Sequence, residues 1–261
     1  MPGEHWNDLA AAVAKLPATM QHGVAVQRVS DGATWQRQGD RPFPAASTMK
    51  LAILVAVARA IDAGTVDRDQ LIPVRSESRV SGSGVLTSLR PDLPLSTNDL
   101  AYLMIAISDN TASNALIELV GDEQIEQTIQ TLGLTGTELN RRFIGRLPGP
   151  DEPDNWTTAS DLVTLLAGIA ADTAASPDQC RWMRDLLTQQ QHRDRLGREL
   201  SENISFAGKS GSLPGIVHDT GLLTGAGGTV AVAVLLEGVA DPYIADSLLG
   251  QIGRAAAKLV N

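Results

Sequence analysis

The stretch "PAASTMKLAILVAVARAIDAG" (residues 44–64) decides how this chain is read. From Leu51 to Ala58 it is unbroken Leu, Ala, Ile and Val, and Gly64 supplies a stop signal. A helix that is apolar on every side is a helix buried in the protein. Its head nevertheless carries Ser47 and Lys50, three residues apart and so one turn apart on one face. A buried helix can still begin at a cleft, and two polar groups in its first turn raise that question.

Outward from that helix the pattern changes twice. Toward the amino terminus, Trp6, Leu9, Val13 and Leu16 recur at helical spacing, which predicts a helix over 6–16. "GVAVQRV" and "ATWQRQ" read as two strands joined at Asp31-Gly32, a hairpin. From about 65 to 200 the chain reads as mostly helical, with helices over 97–107, 111–119, 122–132, 158–171 and 178–190. Loops rich in Gly, Pro and Ser separate them, notably "SESRVSGSG" and "GRLPGPDEPDN". Strands return in "ISFAGKSGS", "VHDTGLLTG" and "TVAVAVLLEG", and a helix closes 241–260.

This order predicts an α+β fold. Residues 1–45 and 195–261 would form one discontinuous domain, an antiparallel sheet flanked by helices. Residues 46–194 would form an inserted all-helical domain, with the cleft between the two.

Composition narrows the function. Of 261 residues, 43% are hydrophobic and 20% charged, as in soluble globular proteins. The net charge of −9 and the lack of a basic patch exclude nucleic acid as a partner. No apolar stretch reaches the ~18 residues of a membrane span, so no membrane partner is expected. The start, "MPGEHWNDLAAAVAKLP", lacks a basic segment followed by an apolar one, and the expected location is cytoplasmic. The single cysteine, Cys180, excludes an intrachain disulfide and a cysteine-based zinc cluster, and reads as a small buried side chain. No spacing implies a metal or an organic cofactor. "AGKSGS" contains the Gly-Lys-Ser of a phosphate loop, but Asn203 stands five positions before Gly208 where that loop needs glycine.

Three polar clusters carry the chemistry. In Ser47-Thr48-Met49-Lys50, a serine hydroxyl needs a base to become a nucleophile, and a lysine desolvated enough to lose its proton can be that base. Taken alone, a serine capping a helix near a lysine is commonplace. Ser108-Asp109-Asn110 offers a proton relay and a substrate-holding amide, but all three are also good helix caps. Lys209-Ser210-Gly211 lies inside a predicted strand, where Lys209 is either a solvated edge residue or a positive charge beside the cleft.

In this order the clusters resemble the class A β-lactamases and penicillin-recognising serine enzymes, whose signature is S-x-x-K, S-D-N and K-T-G. The resemblance runs from about 22 to 260 and includes the "SGSGVL" loop and the terminal strand order. It implies a β-lactamase/transpeptidase-like fold and a small-molecule acyl donor: a β-lactam, an ester or an amide. By the same resemblance Ser47 is the acylated nucleophile, Lys50 its base and Ser108 a proton relay, while Lys209 supports Ser108 and attracts an anion. Asn110, Ser210 (in place of the family's threonine) and Gly211 contact substrate. The N–H groups of Ser47 and Ser212 form the oxyanion hole. His218, nine residues after Lys209, falls where the family often has a carboxylate-binding arginine, and is expected to hold a carboxylate when protonated or act as a base when neutral, or else to be a partly exposed strand histidine.

One part of the pattern is missing. The family's class A enzymes use a glutamate after the S-D-N region to activate the deacylating water. If Arg141 and "NWTT" anchor the comparison, Phe143 stands in its place; if Glu138-Leu139-Asn140 does, Gly136 stands there. Glu152 and Asp154, nearby, read as solvated loop charges. The expectation is a serine hydrolase that forms an acyl-enzyme on Ser47 with weak or atypical deacylation. The alternative is a non-catalytic, acyl-trapping sensor or sequestering protein.

Overall fold

The computed structural model describes residues 2–261; Met1, the first residue of the predicted sheet domain, lies outside them. Helix α1 (Pro2–Val13) leads into the hairpin β1 (Gln21–Arg28) and β2 (Thr34–Arg37). A short strand β3 (Phe43–Pro44) precedes a 3-10 turn, Ala46–Met49, and then helix α2 (Lys50–Asp62). The predicted helix at Ser47 is therefore a tight turn feeding an α-helix. Every residue from Leu51 to Ala58 is buried, as the unbroken apolar run requires.

A two-stranded ribbon follows, β4 (Leu71–Val74) with β5 (Leu93–Ser96), which the helical reading of this region missed. Pro73 faces Pro94 across it, and proline weakens the strand signal in both partners. Helices α3 (Thr97–Ala106), α4 (Asn110–Val120) and α5 (Asp122–Thr131) come next. Beyond a long loop lie β6 (Trp156–Thr157), α6 (Ala159–Ala170) and α7 (Pro177–Thr188). The chain ends with β7 (Ser205–Leu213), β8 (Ile216–Gly225), β9 (Gly228–Glu237) and α8 (Pro242–Ala257).

Both termini build one antiparallel sheet in the order β2-β1-β9-β8-β7. Strand period sends alternate side chains to opposite faces. Val230, Val232, Val234 and Leu236 of β9 face α1 and α8, whereas Ala231, Ala233 and Leu235 face the other core. The small residues on that second face let α6 lie against β1 and β9. Helix α2 runs through the middle of this second core, which extends from the sheet to α5 and α7. Strand β7 is left at the sheet edge, beside the turn that carries Ser47. Among the described residues no helix is long and apolar enough to cross a membrane.

Candidate active site

The three clusters meet at the mouth of α2. Ser47 sits in the 3-10 turn, partly buried, just after Ala46, whose φ of +47° is a conformation that non-glycine residues rarely adopt. Lys50 follows as the first residue of α2, with no exposed surface. Its Nζ donates to Ser108 O (2.6 Å) and to Asn110 Oδ1 (2.9 Å), and lies 3.0 Å from Ser108 Oγ. Burial holds the Lys50 ammonium well below its ordinary pKa, and the charge of Lys209 adds to the effect. A neutral amine has two N–H groups and one lone pair. In that form the two carbonyl-type acceptors take the donors and the lone pair faces Ser108 Oγ, whereas an ammonium donates to all three.

Ser108 is buried and also left-handed, with φ +60°. Asp109 is a helix cap, as its residue type allows, its Oδ1 accepting from Ala112 N (3.0 Å). It does more: Oδ2 accepts from Val85 N (2.7 Å) and Leu86 N (3.0 Å), binding the "SGSGVL" loop to α4. A Cβ at Gly84 would stand 2.1 Å from that oxygen, so this loop needs glycine there. Asn110 turns its Nδ2 to Ser81 O (3.1 Å) and keeps Oδ1 on Lys50.

From the sheet edge, Lys209 Nζ donates to Ser108 Oγ (3.0 Å) and Ser210 O (2.8 Å). Lys209 has no exposed surface, which disposes of the solvated-edge reading. Burial lowers its pKa to about 7, the charge of Asp219 opposing the shift and that of Arg195 adding to it. Ser210 N donates to Gln190 Oε1 (2.6 Å), which ties the end of α7 to the edge strand. Gly211 lies against the turn that carries Ser47, where a Cβ would come within 3.2 Å of Ala46 Cβ, Ser47 N and Thr48 Cγ2. Ser47, Asn110, Phe143 and Ser212 share the wall of a cleft of about 430 Å³.

Three expectations need correction. His218 is not at the cleft: it is fully buried, its Nε2 on Pro44 O (2.9 Å) and its Nδ1 accepting from Leu236 N (3.1 Å). Burial lowers its pKa to about 4, so the ring is a neutral structural link between β8, β9 and the segment before Ser47. Asp154 is not a solvated charge but a largely buried partner of Arg141, at 2.8 Å. Glu152, by contrast, is exposed and paired with Arg146. Third, the two registrations are not equal. Phe143 enters the site, its ring centroid 4.5 Å from Lys50 Nζ, with its backbone N and O clamped by Asn114 at 2.9 Å each. Gly136 binds Asp161 and does not line the cleft.

Sequence reasoning also missed Arg195, in the turn before β7. Its Nη1 donates to Gly211 O (3.0 Å) and His218 O (2.8 Å), its Nη2 to Ser212 Oγ (2.7 Å) and its Nε to Asp246 Oδ1 (2.9 Å). Four of the five guanidinium N–H groups are thus assigned, and the fifth is on the nitrogen beside Ser212. Nothing in "QHRDRLGREL" separates Arg195 from Arg193 or Arg198.

A five-stranded antiparallel sheet with a helical cluster, and a serine and two buried lysines where they meet, define a serine hydrolase of the β-lactamase/transpeptidase type. The chain belongs to the β-lactamase enzyme family, whose sequence profile matches residues 5–260. Its structure is similar to that of a β-lactamase from Sphaerobacter thermophilus, with 40% identity, TM-score 0.92 and 96% of each chain covered. It is also similar to a mutant of PBP-A solved as an acyl-enzyme with penicillin G, with 28% identity, TM-score 0.84, and 97% and 94% covered. A β-lactamase regulatory protein, BlaB of Streptomyces cacaoi, is 28% identical over 82% of this chain and 85% of its own.

Proposed function

We propose that this protein forms an acyl-enzyme on Ser47 with a carboxylate-bearing acyl donor, a β-lactam or a related ester or amide, and releases it slowly. The observation that carries the reading is the environment of Lys50: an amine biased to neutrality, facing Ser108, under a phenyl ring. Ser47 Oγ attacks the acyl carbonyl as its proton passes to Lys50 Nζ. The oxyanion is held by the N–H groups of Ser47 and Ser212, donors of a kind whose loss costs about 10²–10³ in rate. When the tetrahedral intermediate collapses, the bond to the leaving nitrogen or oxygen breaks. Ser108 Oγ delivers the proton to that atom and recovers one from Lys50. Lys209, Ser210 and the remaining N–H of Arg195 attract the carboxylate, and Asn110 and Gly211 line the bound acyl chain.

Release needs a base to activate water, and Phe143 offers none. Incubation with a chromogenic cephalosporin, followed by intact-mass measurement, tests the reading. A persistent adduct with little turnover, absent in Ser47→Ala, is expected. Turnover without an accumulated adduct would contradict slow release, and the absence of both adduct and turnover, with this reagent and with a p-nitrophenyl ester, would overturn acylation of Ser47.

The name of the Streptomyces relative favours a second reading, an acyl-trapping regulatory protein. It predicts one adduct per chain and no catalytic turnover of any ester or thioester.

A further inference from the structure

One buried carboxylate near the site is not used by the chemistry above. Asp219 follows His218 on β8, opposite Ser210 of β7 and Val234 of β9, and has no exposed surface. Its Oδ2 accepts from Leu196 N (3.0 Å) and its Oδ1 from Thr220 N (3.1 Å). Burying a carboxylate is costly unless partners compensate it. Here the cost is visible: burial raises the pKa of Asp219 to about 7.

What Asp219 holds is the residue after Arg195. The turn at 195–196 is fastened twice, by the Arg195 guanidinium to the β7–β8 carbonyls, Ser212 and Asp246, and by the Leu196 N–H to Asp219. Helix α8 closes the other side, where a Cβ on Gly253 would stand 2.1 Å from Leu196 O. The turn cannot shift without breaking one of these contacts.

We propose that Asp219 is a positioning residue for anion recognition: by holding the Leu196 N–H it fixes the Arg195 turn so that the guanidinium and the Ser212 hydroxyl meet a substrate carboxylate. This rests on the acyl-donor reading above. It assigns Asp219 no contact with substrate.

The test compares acylation rates with benzylpenicillin, which carries a carboxylate, and p-nitrophenyl acetate, which carries none. Asp219→Asn retains one acceptor oxygen for two N–H groups. The penicillin-to-ester ratio is expected to fall about tenfold or more in Asp219→Asn, and similarly in Arg195→Ala. In the double variant it should fall no further than in Arg195→Ala alone, because both changes remove one interaction. Equal slowing of both reagents by Asp219→Asn, or multiplying effects in the double variant, would overturn the proposal. Asp219→Thr, neutral and suited to a strand, carries the same expectation if the asparagine variant does not fold. If neither reagent acylates the unaltered protein, the Ser47 reading has failed. A crystal structure of the Asp219 variant then decides the positioning role by itself: an Arg195 guanidinium displaced from Ser212 Oγ supports it, and one left in place refutes it.

Discussion

Lys50 Nζ stands 4.5 Å from the centroid of the Phe143 ring, and the Asn114 side chain grips the Phe143 backbone on both its N–H and its C=O. The position is therefore set by the backbone and its side chain points at the amine. A carboxylate introduced at Phe143 would arrive beside Lys50 without rebuilding the loop. Phe143→Glu is expected to shorten the lifetime of the penicillin adduct, by up to the 10²–10⁴ that a placed general base contributes, as a rough ceiling. Time-resolved intact-mass measurement after removal of free penicillin checks it. An adduct as durable as the unaltered protein's would mean that something other than a missing base limits release.

Lys50 itself is testable by shape. Lys50→Met keeps the volume and the apolar stem but removes the amine. Acylation should fall by roughly 10²–10⁴, the usual worth of a general base. Ser108 O and Asn110 Oδ1 each lose a donor, so a stability loss of about 1–3 kcal/mol is expected with it. Acylation at an undiminished rate in a folded Lys50→Met protein would exclude the amine as base.

The two lysines give the reaction a pH signature. Lys209, with a pKa lowered to about 7, carries its charge below that pH and loses it above. Acylation by a carboxylate-bearing donor should therefore decline, relative to a neutral ester, as pH rises from about 6 to 8, a window centred on that pKa. A ratio of the two rates that is flat across this range in Asp219→Asn, where the neighbouring carboxyl no longer titrates in the same window, would separate Lys209 from anion attraction.

His218 should show itself in stability. Folded, it stays neutral down to about pH 4, whereas an unfolded histidine takes a proton near 6.5. Its contribution is complete above pH 6.5 and is lost as pH falls toward 4, with an upper limit of about 3 kcal/mol. Urea unfolding at pH 8 and pH 4.5 should show the unaltered protein losing more stability than His218→Gln. Equal losses would mean that the ring is not held neutral.

The parts of this site that the sequence disclosed are those fixed by regular structure. Ser47 and Lys50 head an apolar run that can only be a core helix, and Asp109 is a helix cap whichever role its neighbours have. Lys209 lies in a strand between two turn signals. What stayed hidden depends on how irregular segments pass over one another. The loop before β6 has no periodicity, so Phe143 and Gly136 are equal until the fold places one ring on Lys50. The position of His218 along β8 is evident, but the face it presents is set by Pro44 and Leu236, far away in sequence. Arg195 becomes distinctive only when Asp246, Ser212 and two strand carbonyls converge on it.

Gly211 offers a probe of the Ser47 turn that leaves every polar group in place. A methyl group there would press on Ser47 N, Ala46 Cβ and Thr48 Cγ2, each at 3.2 Å, a few tenths of an ångström inside comfortable contact. Ala46 is already held at φ +47°, so the turn has little freedom to yield outward. Gly211→Ala should therefore displace the Ser47 N–H and slow acylation, toward the roughly 10²-fold cost of losing one oxyanion donor. Affinity for a boronic acid that mimics the tetrahedral intermediate should fall in parallel. Overpacking of this size also costs about 1–3 kcal/mol of stability, so the two readouts must be compared with the unfolding midpoint. Slower acylation with unchanged boronate affinity would place the fault in the approach of Ser47 Oγ, whereas full rate and full affinity would show that the turn moves aside and that Ser47 N–H is not held by Gly211.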